Sequence, residues 1–309
     1  MTNPSNLLSY SKVPEHIIRK SKGEIREDES RKQQSLQQFK EWIAKHPFIK
    51  RCTTDDRHLI PFLRTKKYKM DEVFDIFEKA LIFIKSHENW YNFSEENLKR
   101  IFDLYDAGFI RVTKDFDSNG RKTIFVNHKN FDTEKFDHLD VFRIHCLVAP
   151  ILADDEASQI CGVNYVLDLS EDFTMKHLTI CPLKQLLEFV SQIKFTPLRY
   201  KNICIVGLPG FATQFLNIIK LGITDTMLKR LHVLNDVNDL WKFIEKAPMN
   251  EKYGGKFTDF ETKENFKRII LEKIENYKNF LNFEIDLEKG AKMKNLHESV
   301  GSFRKLEID

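Results

Sequence analysis

Ten histidines and five cysteines are the side chains of this 309-residue chain best suited to acid–base, nucleophilic or metal chemistry, and their spacing fits none of these. His87-Glu88 and His297-Glu298 lack the second imidazole of a His-Glu-x-x-His zinc site, and no Cys-x-x-Cys is present. No serine stands in a Gly-x-Ser-x-Gly elbow. Gly207-Leu208-Pro209-Gly210 is not followed by Lys-Ser or Lys-Thr, and Gly254-Gly255 stands alone, so no phosphate-cradling loop is formed. Asp154-Asp155-Glu156 reads as a solvated acidic turn. The expectation is a protein that is not an enzyme and uses no metal or cofactor. Cys52, Cys146, Cys161, Cys181 and Cys204 are odd in number, widely spaced and mostly set in apolar segments, which fits reduced thiols of a cytosolic protein.

One histidine stands apart. Phe142, His145 and Ala149 recur at i, i+3, i+7 and so share one helix face. An imidazole on an apolar face is either a satisfied core group or one that orients a ligand hydroxyl or carbonyl. The elements around it are set by the stretch from Asn202 to Ile219, which carries no charge but is broken by Gly207, Pro209 and Gly210. It reads as a buried strand followed by an apolar helix bearing Phe211, Phe215, Ile218, Ile219 and Leu221. A greasy helix behind a Gly-Pro-Gly hinge suggests a movable cover over an apolar cavity. The stretch is nearly long enough for a membrane span, but its hinge, Asn202, Gln214 and Asn217 argue against one.

The remaining chain sorts into four segments. Residues 1–35 form a polar lead-in, dominated after Lys20 by charge and Gln and read as a solvated helix or partly disordered. Residues 36–115 form a helical domain: Val73, Ile76, Phe77, Ala80, Leu81 and Ile84 follow an amphipathic stripe, and Ser94 can cap a further helix. Residues 116–260 form an α/β unit. Asp117-Ser118-Asn119-Gly120 is a turn between strands at about Phe109 to Thr113 and Thr123 to Asn127. Strands at Gly162 to Asp168, Asn202 to Gly207 and Leu231 to Leu234 alternate with helices near Asp140 to Ala153 and Pro182 to Ile193, predicting a largely parallel or mixed sheet. Residues 261–309 give an amphipathic helix (Phe266, Ile269, Ile270, Ile274, Tyr277) and a polar tail. A net charge of +3 is too small for a nucleic-acid binder, and 26 phenylalanines suit wide apolar interiors. The N-terminus has no secretory pattern, so the Asn92-Phe93-Ser94 sequon is expected to stay unglycosylated.

Several of these segments resemble the CRAL-TRIO lipid-binding family, most closely its α-tocopherol transfer protein and cellular retinaldehyde-binding protein branch. The N-terminal signature is similar to the segment from Leu59 to Tyr68, LIPFLRTKKY. The core signature is similar to Asp140-Val141-Phe142-Arg143, Val166-Leu167-Asp168-Leu169, the segment from Pro197 to Ile203, and Lys252-Tyr253-Gly254-Gly255. The matches run in family order from about Asp56 to Lys256. Two positions depart from the pattern: Ser170-Glu171-Asp172 replaces a glycine turn, and Pro61 replaces an arginine.

The resemblance implies an α/β fold in which an N-terminal helical bundle precedes a lipid-binding domain. Its mixed sheet floors a hydrophobic cavity closed by a mobile helical lid. Periodicity alone favours a filled core; the resemblance implies a cavity lined by Phe142, His145, Ala149, Val163, Tyr165, Leu167, Ile180, Ile203 and Ile205, with Phe211, Phe215, Ile218 and Ile219 on the lid. It also implies a phosphoinositide-binding patch of Arg64, Lys66, Arg199, Lys201 and Arg230, although Thr226 and Leu228 stand where lysine is common and Lys229 is an added cation. The expected function is an intracellular carrier of one small lipid (tocopherol, retinoid, carotenoid or sterol-like), cytoplasmic and transiently attached to phosphoinositide-containing membranes. The alternatives are a phosphoinositide-dependent adaptor without cargo and, third, a hydrolase acting on lipid.

Overall fold

The computed structural model describes residues 13–290. Five helices open the fold: α1 (Glu15–Ile25), α2 (Glu29–Ala44), α3 (Asp56–Thr65), α4 (Met70–Ser86) and α5 (Glu95–Asp106), with a short strand β1 (Ile49–Arg51) between α2 and α3. α2, α3 and α5 begin at side chains that cap them. Asp28 accepts the Arg31 amide at 2.8 Å, Asp55 accepts the Arg57 amide at 2.9 Å and Ser94 accepts the Asn97 amide at 3.3 Å, each satisfying an otherwise unpaired helix-start N–H. On α4 the stripe Val73, Ile76, Phe77, Ala80 and Leu81 is buried, as its spacing predicts.

A five-stranded sheet follows in the order β2 (Ile110–Val112), β3 (Lys122–Asn127), β4 (Val163–Asp168), β5 (Tyr200–Val206) and β6 (Leu231–Leu234). β2 pairs antiparallel with β3, and the other neighbours are parallel, so the sheet is mixed. The parallel links are crossovers through α6 (His138–Ala153) and α7 (Glu156–Cys161), then α8 (Met175–Thr179) and α9 (Leu183–Ser191), then α10 (Thr213–Lys220) and α11 (Asp225–Leu228). After β6 come α12 (Val237–Leu240), the long α13 (Asp259–Leu281) and β7 (Glu284–Ile285), which pairs antiparallel with β1 and joins the segment after α13 to the one after α2.

The sheet is covered on both faces. Phe125, Val166, Cys204, Val206 and Leu234 pack against Leu240 of α12 and Ile244 and Met249 beyond it. The other face carries rows set by strand register: Ile124, Tyr165, Ile203 and Leu231 are successive partners, and so are Val126, Leu167 and Ile205. The two faces alternate because side chains on a strand alternate.

The lead-in, within the described residues 13–35, is the mostly exposed helical alternative, with a buried stripe the local pattern did not predict: Val13, Ile18 and Ile25 pack onto Ala157, Ile160 and Cys161 of α7. Sparse apolar positions suffice because α7 supplies the matching face, which the local pattern of α1 cannot reveal. The turn after β4, lacking the family glycine, is made by Asp172 in the left-handed region (φ 56°) and by Ser170, whose amide donates to Asp168 Oδ1 at 3.0 Å. The polar tail beyond residue 290 lies outside the described residues.

Candidate functional site

Between the second sheet face and helices α6, α9 and α10 lies a cavity of about 380 Å³. That volume falls in the ordinary range for pockets that enclose a small organic molecule. The register rows form its floor: Ile124, Val126, Tyr165, Leu167, Ile203, Ile205 and Leu231 all face it. α6 supplies Phe142, His145 and Ala149 from one face, as their spacing requires. Phe189 of α9 stacks on Phe142 at 4.2 Å between ring centroids, closing the side. α10 contributes Phe215, Leu216 and Ile219, with Ala212 before it and Ile223 after it.

Of the thirteen residues predicted to line the site, ten do: Phe142, His145, Ala149, Tyr165, Leu167, Ile180, Ile203, Ile205, Phe215 and Ile219. Three do not. Val163 lies at the start of β4, where it joins the main core instead. Phe211 is 46% exposed and stacks outside the lining on Phe173 at 6.1 Å. Ile218 is half-buried but turned off the cavity, because the inward stripe of α10 runs through Ala212, Phe215, Leu216, Ile219 and Ile223. Residues missed by sequence reasoning include His128, His177, Phe189, Ile193 and Leu216. Leu186, Phe189, Val190 and Ile193 have helical spacing and were findable. His128, just past β3, carried no signal.

The acidic and basic lining residues are Arg57, Asp154 and Lys273, the last two paired at 2.6 Å, and the imidazole, hydroxyl, amide and thiol groups deeper inside are mostly paired. His145 Nδ1 sits 2.7 Å from the Val141 carbonyl, to which only an N–H can donate; Nε2 is therefore the bare nitrogen and accepts the Tyr165 hydroxyl at 3.1 Å. Burial lowers the His145 pKa to about 4, so the ring is uncharged at neutral pH. Burial, with nearby His177 and His145, lowers His128 to about 3. Gln192 Oε1 accepts from the Tyr91 hydroxyl at 3.2 Å and the Cys146 thiol at 3.3 Å, and burial pushes that thiol up to about 12, keeping it protonated and unreactive. Among the described residues no group of His, Cys, Asp and Glu is placed to hold a metal ion.

The five expected head-group cations do not form one surface. Arg64 is only 3% exposed; its guanidinium holds Glu27 at 2.6 and 2.8 Å, Glu156 at 2.6 Å and Gln159 at 2.5 Å. It is a buried tie between the α1–α2 turn, α3 and α7, and is withdrawn from the patch. Arg199, Lys201 and Arg230 do meet, at the end of the sheet where β5 and β6 begin. Glu24 of α1 lies among them, 2.8 Å from Lys201 and 3.7 Å from Arg199. Arg199 and Arg230 are partly spent on the carbonyls of Ile160 and Tyr200. Burial, with neighbouring cations that include Arg121, draws the pKa of Arg199, Lys201 and Arg230 below their usual values. Lys66, just past α3, is half-buried.

With this geometry in view, a model of the CRAL/TRIO domain family matches residues 106–255. Clavesin-1 of Xenopus laevis is 25% identical over 248 residues, covering 79% of this chain and 74% of that protein. Clavesin-1 of Rattus norvegicus is 27% identical over 251 residues (79% and 69%), and clavesin-2 of Homo sapiens is 23% identical over 258 residues (79% and 75%). Among solved structures, Sfh5 is similar at 15% identity and a TM-score of 0.46, covering 81% of this chain and 99% of that one. The family model and the clavesin matches speak for the family and do not single out a branch within it.

Proposed function

We propose, from the premise that residues 106–255 are a CRAL/TRIO domain, that this protein is a non-catalytic carrier that holds one small uncharged lipid in its cavity and exchanges it at membranes. CRAL/TRIO proteins bind small hydrophobic ligands. The observation that carries the reading here is the cavity of about 380 Å³, floored by the sheet and roofed by α10, with neutral histidines in an apolar wall. The floor offers no counter-ion, and of the two basic lining residues Lys273 is already paired with Asp154 and Arg57 is exposed, so a tocopherol, retinoid, carotenoid or sterol-like molecule suits the lining better than a fatty acid.

α10 is the proposed gate. Its inner side meets the cavity through Phe215, Leu216 and Ile219, while Leu221 at its end is 82% exposed and Phe211 at its hinge 46% exposed. Burying an apolar side chain contributes roughly 1.5 to 3 kcal/mol, which cavity or bilayer supplies about equally. Small electrostatic contributions then decide the balance, about 1 kcal/mol for each cation near an anionic surface. Lys201 and Arg230, with Arg199 as a partly structural neighbour, are the cations proposed to meet a phosphoinositide, and Glu24 competes for them. The proposed location is cytoplasmic with transient peripheral attachment. Among the described residues no helix is long and apolar enough to cross a membrane.

Native mass spectrometry of the purified chain, with organic extraction of what it carries, tests the reading: one lipid per chain supports the carrier. An empty chain that still floats with vesicles points to the cargo-free adaptor, and released fatty acid to a hydrolase. For the membrane step, flotation with and without phosphatidylinositol bisphosphate is expected to fall for Lys201→Ala with Arg230→Ala and to rise for Glu24→Gln. Unchanged flotation in both removes the patch.

A further inference from the structure

α1 is held on the molecule by two unlike attachments. At its C-terminal end Arg26 turns the chain through the left-handed region (φ 58°), and Glu27 beyond it is locked by Arg64 at 2.6 and 2.8 Å and by the Tyr68 hydroxyl at 2.6 Å. Upstream of that corner Ile17, Ile18 and Ile25 join Ala157, Ile160 and Cys161 of α7 in a small cluster separate from the main core. Between the two attachments Glu24 reaches the cations where β5 and β6 begin, 2.8 Å from Lys201 and 3.7 Å from Arg199. Arg121 and Arg230 stand close enough to feel the same carboxylate. Four cations therefore surround one acid, and among the described residues no other acid forms an ion pair with any of them. With α1 seated the cluster is closed: Arg199 is buried and Arg121 Nε is shut off from solvent.

We infer that α1 is a strap that exchanges its seat on α7 for an anionic bilayer, swinging about the corner at Arg26 and Glu27 and withdrawing Glu24 from the cations. Two complementarities favour the exchange. A phosphorylated head group brings the four cations more negative charge than one carboxylate does, and its oxygens accept from guanidinium forks. The stripe of Ile17, Ile18 and Ile25, with Arg19, Lys20 and Lys22 around it, has the composition of a helix that lies in the plane of an anionic membrane surface. The face uncovered on α7 is small, being Ala157, Ile160 and Cys161. A turn of the Glu24 side chain alone would free Lys201 yet leave Cys161 covered. The inference rests on the proposed membrane patch, adds Arg121 to it and supplies its regulation.

Cys161 reports the movement, because Ser21 of α1 lies against its thiol as a hydrogen-bond partner. The full chain is labelled with N-ethylmaleimide and mapped by mass spectrometry, with phosphatidylcholine vesicles, with the same vesicles carrying phosphatidylinositol bisphosphate, or with soluble inositol trisphosphate. The phosphoinositide vesicles are expected to speed Cys161 labelling about tenfold, while Cys204, packed on the other sheet face, stays protected. Ser21→Cys sets a second thiol against Cys161. Its oxidised form is expected to hold α1 down and weaken vesicle binding about tenfold, with recovery on reduction, whereas wild type floats alike in both conditions. Equal flotation of the linked and reduced variant, or Cys161 labelling that phosphoinositide leaves unchanged while the chain still floats, overturns the strap and leaves the patch standing. Faster labelling with inositol trisphosphate but not with vesicles assigns the cations to a soluble phosphate and overturns the exchange with a bilayer. If neither wild type nor Glu24→Gln floats, the patch fails and the strap with it.

Discussion

Single side chains here do two unlike jobs, and burial decides which. Arg64 looks in sequence like a surface cation, yet it neutralises Glu27, whose side chain is 4% exposed. Removing it leaves a buried carboxylate uncompensated, so Arg64→Ala is expected to lower unfolding free energy by about 3 to 5 kcal/mol in urea titrations. Lys201→Ala breaks a more exposed pair with Glu24 and is expected to cost under about 1 kcal/mol. Similar losses in the two variants would contradict the assignment of Arg64 as structural. His145 makes a pH prediction whose sign follows from its depressed value. Free imidazole titrates near 6.5 and the folded ring near 4, so between those values the unfolded chain takes up a proton that the folded chain refuses. Stability should therefore fall as pH drops from about 6.5 toward 4, by up to about 1.4 kcal/mol per pH unit from this ring. His128, near 3, adds to the decline in the same direction. Denaturant midpoints at pH 7, 6 and 5 measure it, and His145→Gln should flatten the slope.

At the scale of elements, the hinge before α10 divides its two glycines. Gly207 has φ 66°, and a Cβ there would lie 2.5 Å from Ser170 Cα; Gly210 has no atom within 4 Å of such a Cβ. Gly207→Ala is expected to lower the unfolding temperature by several degrees, and Gly210→Ala to leave it within about a degree, read by calorimetry. If the order is reversed, the rigid corner of the hinge has been misplaced. The same element shows what the sequence could convey. Its existence, hinge and apolar character were legible, because a charge-free run broken by Gly and Pro has few other folds. Its inward face was not: Leu216 was overlooked and Phe211 and Ile218 were turned the wrong way, since helical phase depends on where the helix starts after a 3₁₀ turn at Gly210–Ala212. Strand faces were easier, and Tyr165, Leu167, Ile203 and Ile205 share the floor because the side-chain period of two leaves one choice. α1 was illegible for the opposite reason. The partner that buries Ile18 and Ile25 is α7, more than a hundred residues further along.

For the whole molecule, the cavity draws its wall from elements far apart in the chain, including Phe83 and Ile84 of α4 and Tyr277 of α13. A bound lipid therefore touches elements far apart in sequence and should stabilise the fold as one unit. At a free concentration a hundred times its dissociation constant, a ligand of the native state adds about 2.7 kcal/mol. The gain should not be felt evenly as local protection. α6 buries nine of its sixteen residues and is held by the core with or without cargo. α9 has no fully buried residue and α10 has only Leu216, because their inner sides face the cavity. Local opening is easiest where few apolar contacts are made, so amide exchange in the stripped protein should be fastest among cavity helices in α9 and α10. Loading with lipid is expected to slow exchange there by about tenfold or more and to leave α6 unchanged. Were α9 and α10 equally protected in the empty and loaded states, the cover would be a fixed part of the shell and exchange would need another route into the cavity.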